Sequence, residues 1–503
     1  MTDQPFRRFV IVGGGTSGWM VAAALGKALG RNASVVLVES DAIGTIGVGE
    51  ATIPAIDTFH RIHGLTPLDV VRNTGATFKL GIAFDDWQRI GSSYFHPFGK
   101  YGVDHAGSSF MRHWLRLRAE GRALDHGRYN LETMAARAGR FTLQPPAAPD
   151  SPSINHAYQF DATLYAAMLR RFAEAQGVER IEGRIVQVRQ DGESGDVTGV
   201  VIDGEREVAG DIFIDCSGFR GLLIEQTLAA GYVDWSQWLP CDRAWAVPTA
   251  VMNPIPPFTR ATARSAGWQW RIPLQHRTGN GYVFSSAFQS DEAAQDELLR
   301  TLPGAAAAEP RLLRFTTGHR KVFWRNNVIA IGLAGGFIEP LESTAIHLVQ
   351  TAITKLMAYF PGGPISPGLA DRFNRAMERE YRNVRDFIVA HYTLTERDDT
   401  PFWRHCRTQA RPDSLNERLL LFEEDGLIDE QPDDLFKEAS WHAVLLGQGL
   451  LPRRFPALAA MTGRGEAIEL AARVSAAIDA RVAGFPTHDA FLASCVAGRG
   501  LRV

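Results

Sequence analysis

The chain has 503 residues, 45% of them hydrophobic and 22% charged, a balance that excludes a disordered or fibrous protein. Lys and Arg number 53 against 56 Asp and Glu, a formal net charge of −3, so the basic footprint of a nucleic-acid binder is missing. At roughly 150 residues per domain, the length suggests about three structural units, or two large interlocked ones.

In chain order, Phe9 to Val12 is a continuous apolar run that stops at Gly13-Gly14-Gly15-Thr16-Ser17-Gly18. Such a run reads as a central parallel strand covered on both faces. It is too short for the core of a signal peptide. An alanine-rich helical pattern follows, then a second strand, Val35 to Val38, ending at Glu39. Strand, GxGxxG, helix, strand and acid in register form a dinucleotide fingerprint. Gly13 permits the tight turn, Gly15 the approach of a pyrophosphate, and Gly18 close packing of helix on strand. Thr16 and Ser17 open the helix, whose N-terminal amides favour phosphate, and Glu39 can accept bonds from a ribose diol. The motif alone leaves NAD and FAD both open.

Later segments bear on that choice. A hairpin-rich stretch runs from Arg184 to Val208, with a turn at Asp203-Gly204, and leads into Ile212 to Ile214 and Asp215-Cys216-Ser217-Gly218. A third glycine-rich strand end, Val328 to Gly336, contains Gly332 and Gly336. Together these segments resemble the FAD-dependent monooxygenase-like superfamily, which implies bound FAD. The expected fold class is therefore α/β: a Rossmann-type FAD-binding domain (residues 1–365, with an inserted sheet contributing to the substrate site) and an added, mainly helical C-terminal substrate region (366–503). Gln144 to Pro152 reads as an exposed loop. From about residue 368, Phe373, Met377, Tyr381, Val384 and Ile388 recur at helical spacing as a core stripe. Asp398-Asp399 precedes Thr400-Pro401 and reads as a turn rather than a metal site. The cysteines (Cys216, Cys241, Cys406, Cys495) form no CxxC, which implies neither a zinc site nor a disulfide framework. The longest apolar run, Val328 to Ile338, is too short to span a bilayer. A cytoplasmic protein without a membrane anchor is expected.

Four segments narrow the reading: Gly47 to Pro54 (GVGEATIP, with Gly49 and Ala51), Phe78-Lys79-Leu80-Gly81, Gly267-Trp268-Gln269-Trp270-Arg271-Ile272-Pro273 (containing WxWxIP), and Glu339-Pro340-Leu341-Glu342-Ser343-Thr344. With them the chain resembles the flavin-dependent tryptophan halogenase family over nearly its whole length. The resemblance implies that FADH2 and O2 convert halide, chloride or bromide, into hypohalous acid, which travels to a second compartment holding an aromatic substrate. Lys79 matches the lysine that takes up this oxidant by hydrogen bonding or as a haloamine; partial desolvation would depress its pKa. The alternative for Lys79 is a lysine snorkelling to solvent. Glu342 matches the family's active-site glutamate and would take the proton lost on rearomatisation. It also suits a helix N-terminus. The amides of Thr344 and Ala345 correspond to the halide site, and the resemblance implies that Ser343 and Thr344 link the flavin and lysine sites. Trp268 and Trp270 would keep substrate off the flavin, although alternating aromatics also suit a half-buried strand.

For the substrate pocket, His96 and Phe98 match a family His and Phe, and His96 is equally readable as a structural histidine. Trp441 and Gln448 are further candidates. Ser440 to Gly449 contains no tyrosine pair or acid to grip an amino-acid backbone, which points away from free tryptophan to a simple or decorated indole or another electron-rich arene. With one dinucleotide fingerprint committed to FAD, a separate NAD(P)H-dependent flavin reductase is the expected partner. The competing expectation is an FAD-dependent aromatic hydroxylase; a flavin storage or carrier protein would need neither Lys79 nor Glu342.

Overall fold

The computed structural model describes residues 7–43, 49–145 and 153–497. Gly47 and Val48 of the GVGEATIP segment, and 146–152 of the expected loop, lie outside the described residues. The chain divides into two units that interleave along the sequence. The first comprises Met1–Gly75, Phe160–Gln237 and Phe315–Arg382; the second comprises Ala76–Gln159, Trp238–Arg314 and Asn383–Val503.

In the first unit the apolar run becomes the strand Arg8–Val12, flanked in parallel by Ser34–Glu39 and Ile212–Asp215. Glu179–Glu182 and Val328–Ala330 extend this sheet in parallel, and Trp324–Arg325 closes one edge antiparallel. Both faces of the central strands are covered, so Val10 and Ile11 have no exposed surface. The helix Thr16–Leu29 packs with Ala162–Ala175 and Ala345–Ala358. A three-stranded meander, Ile185–Gln190, Val197–Ile202 and Glu207–Ala209, contributes Val197, Val200, Ile202 and Val208 to a core shared with Val10, Val36 and Phe213. The α/β Rossmann-type architecture expected from the glycine fingerprint is thus present, meander included.

The second unit is built on a seven-stranded sheet in the order Arg311–Arg314, Arg243–Thr249, Thr278–Phe284, Gly267–Pro273, Thr259–Arg264, Gly81–Asp85, Ser93–Pro97. Only the pairing of Thr259–Arg264 with Gly81–Asp85 is parallel. The helices Phe110–Ala119, Leu131–Arg137, Asp413–Asp425, Glu438–Gly447 and Arg464–Ala483 belong to the same unit.

The expected stripe falls on the helix Pro367–Thr393, where Phe373, Met377, Tyr381, Val384 and Ile388 are all buried; the boundary between units falls inside this helix. Asp399 is held by both nitrogens of a fork from Arg397, at 2.8 Å each, next to the Thr400 cap of Pro401–Thr408. No group of metal-ligating side chains occurs among the described residues. All four cysteines are free thiols, three of them buried. No helix among the described residues is long and apolar enough to cross a membrane.

Candidate active site

The first unit carries the nucleotide end. Gly13 adopts φ +111°, and a Cβ there would overlap the carbonyl oxygen of Cys216. A Cβ at Gly18 would overlap the carbonyl oxygen of Gly13. Both glycines are therefore demanded by the protein's own backbone packing. Gly15 is different: its φ is −73°, and a Cβ would meet no atom within 4 Å. Internal packing does not require glycine here, whereas close approach of a pyrophosphate does. No side chain caps the helix that starts at Thr16, so its first amides lack partners inside the helix. Glu39 closes the second strand and accepts a 2.6 Å hydrogen bond from Arg180 Nε. This arrangement fits a bound dinucleotide, with Thr16 and Ser17 at its phosphates and Glu39 toward a ribose.

The third glycine turn meets the first. Gly332 (φ +71°) lies so close to Ser17 that a Cβ would overlap the Ser17 hydroxyl. Arg320 holds the turn: its amide donates to Gly335 O at 2.8 Å, its Nε to Ala334 O at 3.0 Å, and its Nη1 pairs with Glu225 at 2.7 Å. Sequence reasoning missed Arg320 and Glu225; far apart in the chain and outside any motif, they leave no local signal. Gly336 opens the two-residue strand Gly336–Phe337, and Gly49 and Ala51 are the buried ends of Gly49–Ala51.

Beyond the glycines, Pro340–Glu342 forms a single tight turn with Glu342 only 1% exposed. Ser343 then takes φ +59°, re-aiming the chain into the helix Ala345–Ala358, with Thr344 at its N-cap. Thr344 and Ala345 thus place their amides in a first turn that has no helical acceptors. The Thr344 hydroxyl is buried without a hydrogen-bond partner among the described residues. Glu342 lies two residues before the N-cap of this helix.

The second unit carries the lysine. Lys79 ends the short strand Thr77–Lys79 and has no exposed surface, which excludes snorkelling. Its Nζ lies 5.0 Å from the centroid of Phe98, within the range of a cation–π contact. Phe98 is placed there because its amide donates to Leu80 O at 3.0 Å. His96, two residues earlier, is buried and faces Phe387 and Phe436 at 5.5 and 6.2 Å between ring centroids. Phe387 meets Trp441 edge-on at 4.9 Å, and Trp441, itself fully buried, lies under the Arg418 guanidinium at 4.7 Å. Gln448 is buried and donates to His391 O at 2.8 Å. Trp268 and Trp270 project from one face of Gly267–Pro273, with ring centroids 6.2 Å apart. Trp270 lies opposite Gly281 on the neighbouring strand, where a Cβ would overlap the indole. Both rings are buried, at 1% and 7% exposure, so this strand is not the half-buried kind that alternation by itself would predict.

A model of the tryptophan halogenase family matches residues 8–464. The chain belongs to this family. Tryptophan 6-halogenase SttH of Streptomyces toxytricini is 37% identical over 437 residues, covering 82% of this chain and 83% of that protein. The solved structure of Xcc4156, a flavin-dependent halogenase from Xanthomonas campestris, superposes with a TM-score of 0.94 at 47% identity, over 97% of this chain and 98% of the other. BrvH, a flavin-dependent halogenase from Brevundimonas sp. BAL3, superposes at 0.92 with 44% identity, over 97% and 99%. The protein is accordingly an enzyme, a flavin-dependent halogenase, and the family implies FAD and a halide.

Proposed function

We propose that this halogenase places chlorine or bromine on an electron-rich aromatic ring of indole type, with Lys79 handling the oxidised halogen and Glu342 accepting the proton that leaves the ring. The observation that carries the reading is Lys79, an amine with no exposed surface beside an aromatic ring. An amine is costly to bury and is retained only where it is paired or hydrogen-bonded. Names of relatives such as tryptophan 6-halogenase support an indole nucleus. The absence of a tyrosine pair or acid in Ser440 to Gly449 favours an indole without a free amino-acid backbone.

Bound FAD, reduced and supplied with O2, provides the oxidising equivalent that turns halide into hypohalous acid. The phosphates of FAD would be held by Gly15, Thr16 and Ser17, its ribose by Glu39, and Gly332 and Gly336 would line its third turn. Halide would be bound by the amides of Thr344 and Ala345. Lys79 then takes up the halogen: an N–H donates to the hypohalous oxygen, or the amine forms an N–X bond and releases water. The ring attacks the halogen, a C–X bond forms as the O–X or N–X bond breaks and its electron pair leaves on the oxygen, released as water, or on the Lys79 nitrogen, and the ring proton passes to the Glu342 carboxylate as aromaticity returns. His96 and Phe98 orient the ring, and Trp441 supports them through Phe387. Trp268 and Trp270 keep the organic substrate from the flavin, so that the halogen is the only species transferred. Reduced flavin comes from a separate NAD(P)H-dependent flavin reductase.

The family assignment disfavours an aromatic hydroxylase. A panel containing indole, substituted indoles and tryptophan, with a generic flavin reductase, oxygen and bromide or chloride, tests the reading by mass spectrometry. A single halogen on indole, at a rate above that on tryptophan, is expected. Oxygen insertion without halogen, or tryptophan as the preferred substrate, would overturn it.

A further inference from the structure

Lys79 stands on a strand of three residues, too short for ladder bonds alone to fix its register. One edge pairs antiparallel, with Thr77 opposite Gln159 and Lys79 opposite Ala157. No strand covers the other edge among the described residues; single contacts hold it. Phe78 N donates to His488 Nε2 at 3.2 Å, Leu80 N to Pro257 O at 2.8 Å, and Gln275 Nε2 to Ala76 O at 2.6 Å. His488 meets both demands with a neutral ring, its Nδ1–H donating to Ile255 O at 2.9 Å.

Through this framework runs a buried chain of side-chain hydrogen bonds. Thr259 Oγ1 donates to Gln159 Oε1 at 2.9 Å, Gln159 Nε2 to Thr77 Oγ1 at 3.0 Å, and Thr77 Oγ1 to Pro273 O at 2.7 Å. Thr77 and Gln159 have no exposed surface, and Thr259 has 5%. Every bond points the same way, so each polarises the next. The last acceptor is the proline that ends WxWxIP. Valine at 77 and leucine at 159 would fill similar volume without burying polar groups, which are costly wherever they are not needed. In an extended strand, residues 77 and 79 project to the same face, so whatever fixes the first side chain restrains the second.

We infer that Thr77 and Gln159 are positioning residues for halogen transfer: their hydrogen-bonded chain sets the place of the Lys79 amine relative to the tryptophan-bearing strand. The inference rests on the reading of Lys79 as the oxidant-handling group. A misplacement of about 1 Å can cost on the order of a hundredfold in rate. Oxidant that misses the amine would escape as free hypohalous acid.

The test uses full-length holoenzyme with reductase, oxygen, bromide and indole, and compares Thr77→Val, Thr77→Ser and Gln159→Leu with wild type. Bromoindole per oxygen consumed and free hypobromite caught by a β-diketone trap are measured together, with hydrogen exchange over residues 76–80. For Thr77→Val and Gln159→Leu we expect unchanged oxygen consumption, roughly tenfold less bromoindole per oxygen, KM for indole within about twofold, and the missing oxidant in the trap. Exchange at 76–80 should rise, and Thr77→Ser should restore both coupling and protection. Wild-type coupling in either folded variant, or a loss that serine fails to restore, would overturn the inference. Should Thr77→Val not fold, Gln159→Leu decides by the same readouts. Lys79→Ala as a separate arm keeps the two claims apart: normal bromination there defeats the role of Lys79 itself.

Discussion

Gly15→Ala and Gly18→Ala form a matched pair that separates ligand demands from fold demands. At Gly18 an added methyl overlaps the carbonyl oxygen of Gly13, so helix and strand must move apart. Overpacking of this kind costs about 1–3 kcal/mol, and flavin binding should suffer with it. At Gly15 the backbone sits at φ −73° and the methyl meets nothing within 4 Å. Alanine there should leave stability within about 0.5 kcal/mol of wild type, as for an open site. If the FAD pyrophosphate packs against this residue, the same methyl stands in its way, and the dissociation constant should rise about tenfold or more, equivalent to about 1.4 kcal/mol. Chemical denaturation of the flavin-free variants measures the first quantity, and FAD titration followed by flavin fluorescence the second. Wild-type FAD affinity in Gly15→Ala, or destabilisation matching that of Gly18→Ala, would refute the reasoning.

Three further outcomes are expected. Glu342→Gln should fold normally, keep flavin affinity and consume oxygen, yet lower arene halogenation by about two orders of magnitude, the scale of a lost general base; near wild-type turnover would remove its assignment. Trp270→Ala empties a well-packed site opposite Gly281 and should cost about 3–5 kcal/mol, with oxygenated substrate appearing beside halogenated product; strictly halogenated product would end the shielding role. His488 and His442 are fully buried, and desolvation lowers their pKa from 6.5 to about 4 and about 3. The unfolded chain binds those protons more readily, so stability is complete above about pH 6.5 and falls as pH drops toward the folded values. The loss is of the order of 3 kcal/mol per histidine. Denaturant titrations between pH 8 and 4 should show this slope, and His488→Gln should flatten it; an unchanged slope in that variant contradicts the assignment.

Much of the first unit was legible because its signals are local. Phe9 to Glu39 carries strand, turn, helix and strand in one uninterrupted pattern, and Asp203-Gly204 marks the meander turn through backbone chemistry alone. The burial of Lys79 was foreshadowed by its apolar neighbours. Long-range pairing left no such trace. Strand Thr259–Arg264 runs parallel to Gly81–Asp85 across some 180 residues of chain, and periodicity reports only which face is apolar, not which strand lies alongside. The grip of Arg320 and Glu225 on the third glycine turn and the Thr259–Gln159–Thr77 chain share this property. Each residue reads as an ordinary polar side chain until the fold brings its partner within hydrogen-bonding distance. A glutamine between Tyr158 and Phe160 is the single local hint, a polar side chain inside an apolar run.

The central claim is that halogen reaches the arene through Lys79. Its most direct test is Lys79→Ala supplied with reduced FAD, oxygen, bromide and indole, with flavin binding, oxygen uptake and bromoindole followed on the same sample. Retained flavin binding and oxygen uptake with bromoindole below detection is the predicted result. Bromoindole formed at the wild-type rate by this variant would contradict it.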